Sequence, residues 1–422
     1  MSVLRALWRG SRLCSASSNR LPTLCRYSSV AQTHDGKGLI IDAFGGATFP
    51  FVWLRDSCPS TIHPTTSQKL RRTSDILPDI RPAASDESVR LTDAGLHIHW
   101  ADGHASFFPR DFLRLHSSPA HLTAFHGDPT ERLWNRAEIS ATPDLFVPYA
   151  SLNHDIGLRV AIDQLCAHGL LFVTGVPHED MADATCELRA LVARFSHIRE
   201  TFYGQVWDVV NVRESRNIAY TNLDLGFHMD LLYFKHPPKY QILHCLRNRV
   251  RGGASLFADA FRAAERLRRD HPAEFAALAT MEVPFHYIND GHHLHHTHPT
   301  IELSPSNDGM EGKITQINYS PPFQAPLLLS TPPLFYDGLR RFASFLDDPA
   351  RGSVYEYQLK EGDAVIFDNR RVLHARTAFS EIEGEEKVAG GGKDGEPNRW
   401  LKGCYFEADE LLDRGRILRK RL

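Results

Sequence analysis

The sequence predicts an α+β protein: a double-stranded β-helix, or jelly roll, with flanking helices, preceded by a small β-rich N-terminal domain. Three observations carry this. Short apolar or alternating runs bounded by turn residues fill residues 35–118. Strands then outnumber helices in the rest of the chain. Those later strands converge on two histidines and a carboxylate, a set suited to the open mouth of a jelly roll.

Residues 1–34 hold Arg5, Arg9, Arg12, Arg20 and Arg26, many serines and no acidic residue before Asp35. That composition is expected of a mitochondrial transit peptide, disordered and removed, which places the protein in the matrix. Its loss would take the net charge from −3 to near −8. In the 35–118 region, Gly38–Asp42, Ala47–Leu54 and Leu96–Trp100 read as strands, and Asp102-Gly103 as a hairpin turn. Residues 119–145 read as a polar, turn-rich connector around Asp128-Pro129.

The 146–422 region mixes both periodicities. Helices are expected over Asp155–His168, Ala182–Phe195, Ala260–Met281 (interrupted near Pro272) and Pro333–Asp347. Strands are expected over Leu170–Thr174, Tyr240–Cys245, Lys313–Tyr319, Val354–Leu359 and Ala364–Phe367. Glu381–Pro397, rich in Gly, Glu and Lys, reads as a flexible insertion. No apolar run approaches the ~18 residues of a membrane span. The small negative charge offers no argument for nucleic acid, and the basic run Arg414–Arg421 reads as a solvated helix face. Seven cysteines show no pairing pattern, so free thiols are expected.

The chemistry-bearing feature is His228-Met229-Asp230, answered much later by His374. Residues two apart on a strand point the same way. Two imidazoles and one carboxylate on one face of a metal leave the opposite face open, which is the ligand set of non-haem Fe(II) oxygenases. Phe227 before the pair, the Pro237-Pro238 turn after it and Asp368-Asn369 ahead of His374 strengthen the reading.

Several ordered motifs resemble the γ-butyrobetaine dioxygenase family and its sibling, trimethyllysine dioxygenase, within the taurine-dioxygenase-like 2-oxoglutarate oxygenases. They are Thr201-Phe-Tyr-Gly-Gln-Val-Trp, Asn217-Ile-Ala-Tyr-Thr, Phe227-His-Met-Asp, Pro237-Pro-Lys-Tyr-Gln-Ile-Leu-His-Cys-Leu, Arg251-Gly-Gly-Ala-Ser and Arg399-Trp-Leu-Lys-Gly-Cys-Tyr. The resemblance runs from about residue 37 to the C-terminus. It implies a homodimeric enzyme that uses Fe(II), 2-oxoglutarate as co-substrate, O2 and ascorbate to hydroxylate a trimethylammonium substrate. Fe(II) would sit on His228, Asp230 and His374. Arg399 would clamp the co-substrate's distal carboxylate with its planar fork of donors. Leu243 and Ser255 would line that site, with Arg376 close by. Tyr203, Trp207, Tyr220 and Tyr405 would cage the cation, for which π faces are natural partners because it has no N–H to donate. From spacing alone, Tyr203 and Trp207 also fit ordinary packing on a helix.

Asn217 discriminates between the siblings. A bare carboxylate favours a neutral amide at this place, where the trimethyllysine enzyme resembles this chain with an Asp, so γ-butyrobetaine is the expected substrate. The leader argues instead for trimethyllysine. The chain also departs from the family pattern. Ser320 or Pro321 stands where a pocket Asn is expected, and Arg370 and Ala375 stand where Trp and Gly are commoner. The N-terminal domain resembles one that often holds structural zinc, yet of that site only Cys58 and His104 remain. His63 could contribute, while Ser60 and Thr61 are poor substitutes. The run from His292 to His298 reads as an exposed loop of adventitious metal affinity.

Overall fold

A computed structural model of the protein describes residues 30–210, 221–305, 312–381 and 397–422. The chain divides into two compact units, Met1–His126 and Gly127–Leu422.

The first unit contains two three-stranded antiparallel sheets. One is β1 (Val30–Gln32), β2 (Gly38–Ile41) and β3 (Ala47–Pro50); the other is β4 (Val89–Leu91), β5 (Gly95–His99) and β6 (Ala105–Pro109). Strand alternation buries Leu96, Ile98 and Trp100 against Leu39, Phe49 and Phe108. Three expectations change here. Strand β1 lies inside the stretch read as leader, so ordered structure begins before residue 35. The run Ala47–Leu54 is not one strand. It stops at Pro50, whose fixed φ of −61° opens a helix over Phe51–Asp56 that buries Phe51 and Leu54 one turn apart. The connector also carries structure, with helices over Pro119–His126 and Arg136–Ser140. The second of these is locked by a reciprocal capping box between Asn135 and Glu138.

The second unit is the jelly roll. Its larger sheet takes β7 (Phe146–Pro148), β8 (Leu170–Thr174), β9 (Ile198–Arg199), β10 (Trp207–Val210), β12 (Tyr240–Asn248), β20 (Ala364–Asp368) and β23 (Arg399–Phe406), in the order β10-β23-β12-β20-β8-β7 with β9 also on β23. The smaller sheet takes β11 (Leu225–His228), β14 (Ser255–Asp259), β19 (Val354–Tyr357) and β21 (Val372–Arg376), in the order β11-β21-β14-β19.

Why β8 reads as a continuous apolar run is now plain: both its faces are buried. Leu170 and Phe172 point between the sheets, where Phe172 and Phe367 meet Phe257 of the smaller sheet at ring separations of 5.8 and 5.7 Å. Leu171 and Val173 point outward onto the helix Asp155–His168 and the C-terminal helix Ala408–Arg421.

Between these strands in the chain come two short ribbons, β13 (Val250–Gly252) with β22 (Phe379–Glu381) and β17 (Ile301–Leu303) with β18 (Ile314–Ile317). A third is a long hairpin of β15 (Glu282–Asn289) and β16 (His292–Pro299). The histidine run is therefore strand, not loop. Asp290 and Gly291, at φ 49° and 80°, make the tight turn that pairs all eight residues of β16 with β15.

Candidate active site

Strands β11 and β21 run side by side, and His228 is the register partner of His374. Their ring centroids are 4.1 Å apart. Asp230 lies past the end of β11, in a turn whose next residue, Leu231, takes the left-handed conformation at φ 62°. The turn folds the carboxylate back, with Oδ1 3.4 Å from His228 Nε2 and 4.0 Å from His374 Nε2. One ligating atom from each of the three lies within 4.8 Å of the others. Among the described residues this is the one such group that could hold a metal.

The surroundings prepare each member. His228 Nδ1 lies 2.9 Å from the Gly226 carbonyl, which leaves Nε2 to face the group. Asn369 braces the turn: its Oδ1 accepts the Asp230 backbone N–H at 2.9 Å and its Nδ2 donates to the Asp230 carbonyl at 3.1 Å. Tyr405 donates its hydroxyl to Asp230 Oδ2 at 2.7 Å. Burial, together with the neighbouring His228, pushes the His374 imidazole down to about 3, so it is neutral and its lone pair is available. Burial alone would raise the Asp230 carboxyl. His228, His374 and Tyr405 outweigh it and hold the group well below the usual carboxylate range. Two imidazoles, that of His374 neutral, and an ionised carboxylate fit a divalent cation.

One cavity joins this group to Leu243, Ser255, Arg376 and Arg399. Arg399 is 5% exposed, its Nε has no partner among the described residues, and its guanidinium lies over the Phe379 ring at 5.3 Å. Burial and the nearby Arg376 push it down to about 10. A buried, uncompensated guanidinium at the end of a cavity is a receptor for an anion. Gly253, at φ 73°, makes room for it, since a Cβ there would sit 3.1 Å from Arg399 Nε. Arg376 serves differently, donating to the Thr221 and Leu223 carbonyls at 2.7 Å each and so tying down the chain that leads into β11.

The aromatic candidates sit beside Asp230. Trp207 is not helical; it opens β10 opposite Gly403 of β23. Its indole lies flat over that glycine, where an added Cβ would come within 2.3 Å of Cη2. Trp207 then meets Tyr405 at 5.3 Å. Tyr203 lies in the preceding turn, its hydroxyl 3.5 Å from that of Tyr233, an aromatic neighbour that the sequence did not single out. On the far face of β23, the fully buried Lys402 reaches Asp183 at 2.6 Å and Asp208 at 2.7 Å, and Asp208 also accepts the Trp400 indole N–H at 2.6 Å. These bonds tie β10 to β23. Asn217 and Tyr220 lie outside the described residues.

Comparison with known proteins settles the class. The profile of the "Taurine catabolism dioxygenase TauD, TfdA family" matches residues 137–405. The chain belongs to this family. It is a 2-oxoglutarate-dependent dioxygenase, and the TauD-type jelly roll positions its site. A second profile, "Gamma-butyrobetaine hydroxylase-like, N-terminal", matches residues 32–114. Among relatives, the chain is 52% identical over 396 residues to "Dioxygenase str8" of Strobilurus tenacellus, covering 93% of this chain and 90% of that one. It is 31% identical to a γ-butyrobetaine dioxygenase of Pseudomonas sp. (strain AK-1), covering 91% and 94% of the two chains. It is also 31% identical to a mitochondrial trimethyllysine dioxygenase of Gallus gallus, covering 88% and 83%.

Within this TauD-type frame the departures acquire reasons. Arg370 is buried and bridges to Asn318 Oδ1 at 2.6 Å and Glu302 at 3.1 Å, joining the β20–β21 turn to β17 and β18. Ser320 is 1% exposed, with no partner for its Oγ among the described residues. Its loop adjoins the Asp230 turn, because Met229 N–H donates to the Tyr319 carbonyl at 2.9 Å. In the N-terminal unit, Cys58 Sγ lies 3.1 Å from Ser60 Oγ and 3.3 Å from His104 Nε2. His63 does not join them; its Nδ1 accepts from the Thr65 and Thr66 backbone N–H groups. Cys58 and His104 supply two of the four ligands that a closed zinc site needs.

Among the described residues no helix is long and apolar enough to cross a membrane.

Proposed function

We propose that this dioxygenase hydroxylates γ-butyrobetaine to L-carnitine. Fe(II) would be held by His228, Asp230 and His374, and 2-oxoglutarate would run from that group to Arg399. The bound metal, with the keto acid and O2, supplies the oxidising power for an unactivated C–H bond, releasing succinate and CO2. The chain's own residues supply placement. Arg399 receives the distal carboxylate, Leu243 and Ser255 line its path, and ascorbate keeps the iron reduced.

The observation that carries the substrate reading is the Trp207–Tyr405 pair, two π faces beside the carboxylate of the candidate metal group. With Tyr203 and Tyr220 they would receive a trimethylammonium head, and Asn217 would meet the substrate's carboxylate. The acid-free leader supports residence in the mitochondrial matrix, and the family resemblance supports a homodimer.

A second reading is hydroxylation of a different small molecule. Two observations favour it: Ser320 or Pro321 stands where a pocket Asn is expected, and the 52% identical relative is named only as a dioxygenase. Product mass spectrometry with γ-butyrobetaine and trimethyllysine in parallel separates the readings. Hydroxylation of γ-butyrobetaine alone supports the first. Hydroxylation of neither, with succinate still formed, supports the second.

A further inference from the structure

Gln241 is a buried amide whose oxygen takes no part in the described hydrogen-bond network. It is 1% exposed, its Oε1 has no partner among the described residues, and it lines the cavity shared by His228, Asp230 and His374. Leaving a buried amide unpaired is costly, and such a group is retained where a ligand completes it.

Strand register fixes where along the cavity it stands. On β12, Gln241 pairs with Tyr405 of β23 on one side and Phe367 of β20 on the other. Tyr405 donates to Asp230, and the Phe367 ring lies 4.8 Å from that of His374. Both neighbours of Gln241 therefore touch the metal group. Arg399 pairs with Asn248 at the other end of β12, so the two polar groups mark opposite ends of one channel. Leu243, two residues along on the same face, lines the channel as well.

We propose that the Gln241 side-chain amide, turned about its terminal bond so that Nε2 faces the metal group, donates a hydrogen bond to an oxygen at the metal-proximal, keto-acid end of 2-oxoglutarate, while Arg399 takes the distal end. Gln241 is thus a positioning residue for the co-substrate. The inference rests on 2-oxoglutarate occupying this cavity.

The test is an anaerobic titration of 2-oxoglutarate into the Fe(II)-loaded protein, followed by the metal-to-keto-acid charge-transfer absorption, with Gln241→Leu, Gln241→Glu and Arg399→Met. Losing one hydrogen bond to a charged group should weaken 2-oxoglutarate binding by roughly 10-fold or more in Gln241→Leu. Gln241→Glu should weaken it further by setting like charges together, and the absorption band should move. Thermal unfolding of Gln241→Leu should match or exceed that of the parent, because an unpaired buried amide is removed. Binding within two-fold of the parent in Gln241→Leu, or a defect confined to the KM of the primary substrate, overturns the proposal. If Arg399→Met also binds normally, the placement of the co-substrate has failed instead.

Discussion

The Tyr405 hydroxyl donates to Asp230 Oδ2 at 2.7 Å, from a strand that lies on the opposite sheet to both histidines. One residue thus presents a ring to Trp207 and a proton to the metal-group carboxylate. Under the proposed function, substrate recognition and metal geometry are coupled through it.

Replacing Tyr405 by Phe separates the two roles. The ring stays and the hydrogen bond goes, so Asp230 loses its orienting partner. Iron affinity should fall roughly 10-fold, the low end for loss of a group that orients a metal ligand. Iron titration by tryptophan quenching reads this, while KM for the cationic substrate should move far less.

Gly403→Ala should do the reverse. Its Cβ would collide with the Trp207 indole, which must tilt or leave. KM for a trimethylammonium substrate should rise roughly 10-fold, about what a desolvated cation–π contact provides. Iron affinity should stay within two-fold, and the same iron titration checks it.

Lys402→Met removes the buried ammonium that ties β10 to β23. Asp183 and Asp208 keep some contact with solvent, at 65% and 34% side-chain exposure, so the loss falls below that of a pair buried on both sides. About 2 kcal/mol of stability should go, read by urea unfolding.

His244 is fully buried, and burial, with His178 and Lys402, lowers it from 6.5 to about 4. Between those values the unfolded chain binds a proton that the folded protein refuses, so stability falls as the pH drops through this window. From near neutrality to about pH 5 the loss at this site is about 2 kcal/mol. His244→Leu should abolish that part of the slope in urea unfolding at the two pH values.

The metal group was legible because its elements are local in sequence or chemically rare: His228-Met229-Asp230 is contiguous, and His374 follows the marked Asp368-Asn369 run. Its own motif marks Arg399, which the structure places in the same cavity. What escaped the sequence is set by pairing between distant strands. Gln241 looks like any strand residue until β23 brings Tyr405 beside it, and Gly403 looks dispensable until Trp207 lies on it. Asn369 was noticed only as a neighbour, although its amide holds the Asp230 turn. The β16 histidines suggest a loop by their tight spacing beside Pro299, whereas Asp290-Gly291, a strong hairpin signal, sets them in a strand paired with β15.

Hydroxylation of a cation beside an aromatic pair, at a 2-oxoglutarate-dependent iron centre, is most directly tested with a control whose head group is uncharged. The measurement compares kcat/KM for γ-butyrobetaine with that for its isostere of uncharged head group, in which a quaternary carbon replaces the nitrogen. Purified protein with Fe(II), ascorbate and 2-oxoglutarate is used, and succinate and hydroxylated product are counted together. The expected result is one succinate per hydroxylated γ-butyrobetaine and a preference for the cation of roughly 10-fold or more. Equal turnover of the two compounds, or no hydroxylated γ-butyrobetaine, would contradict it.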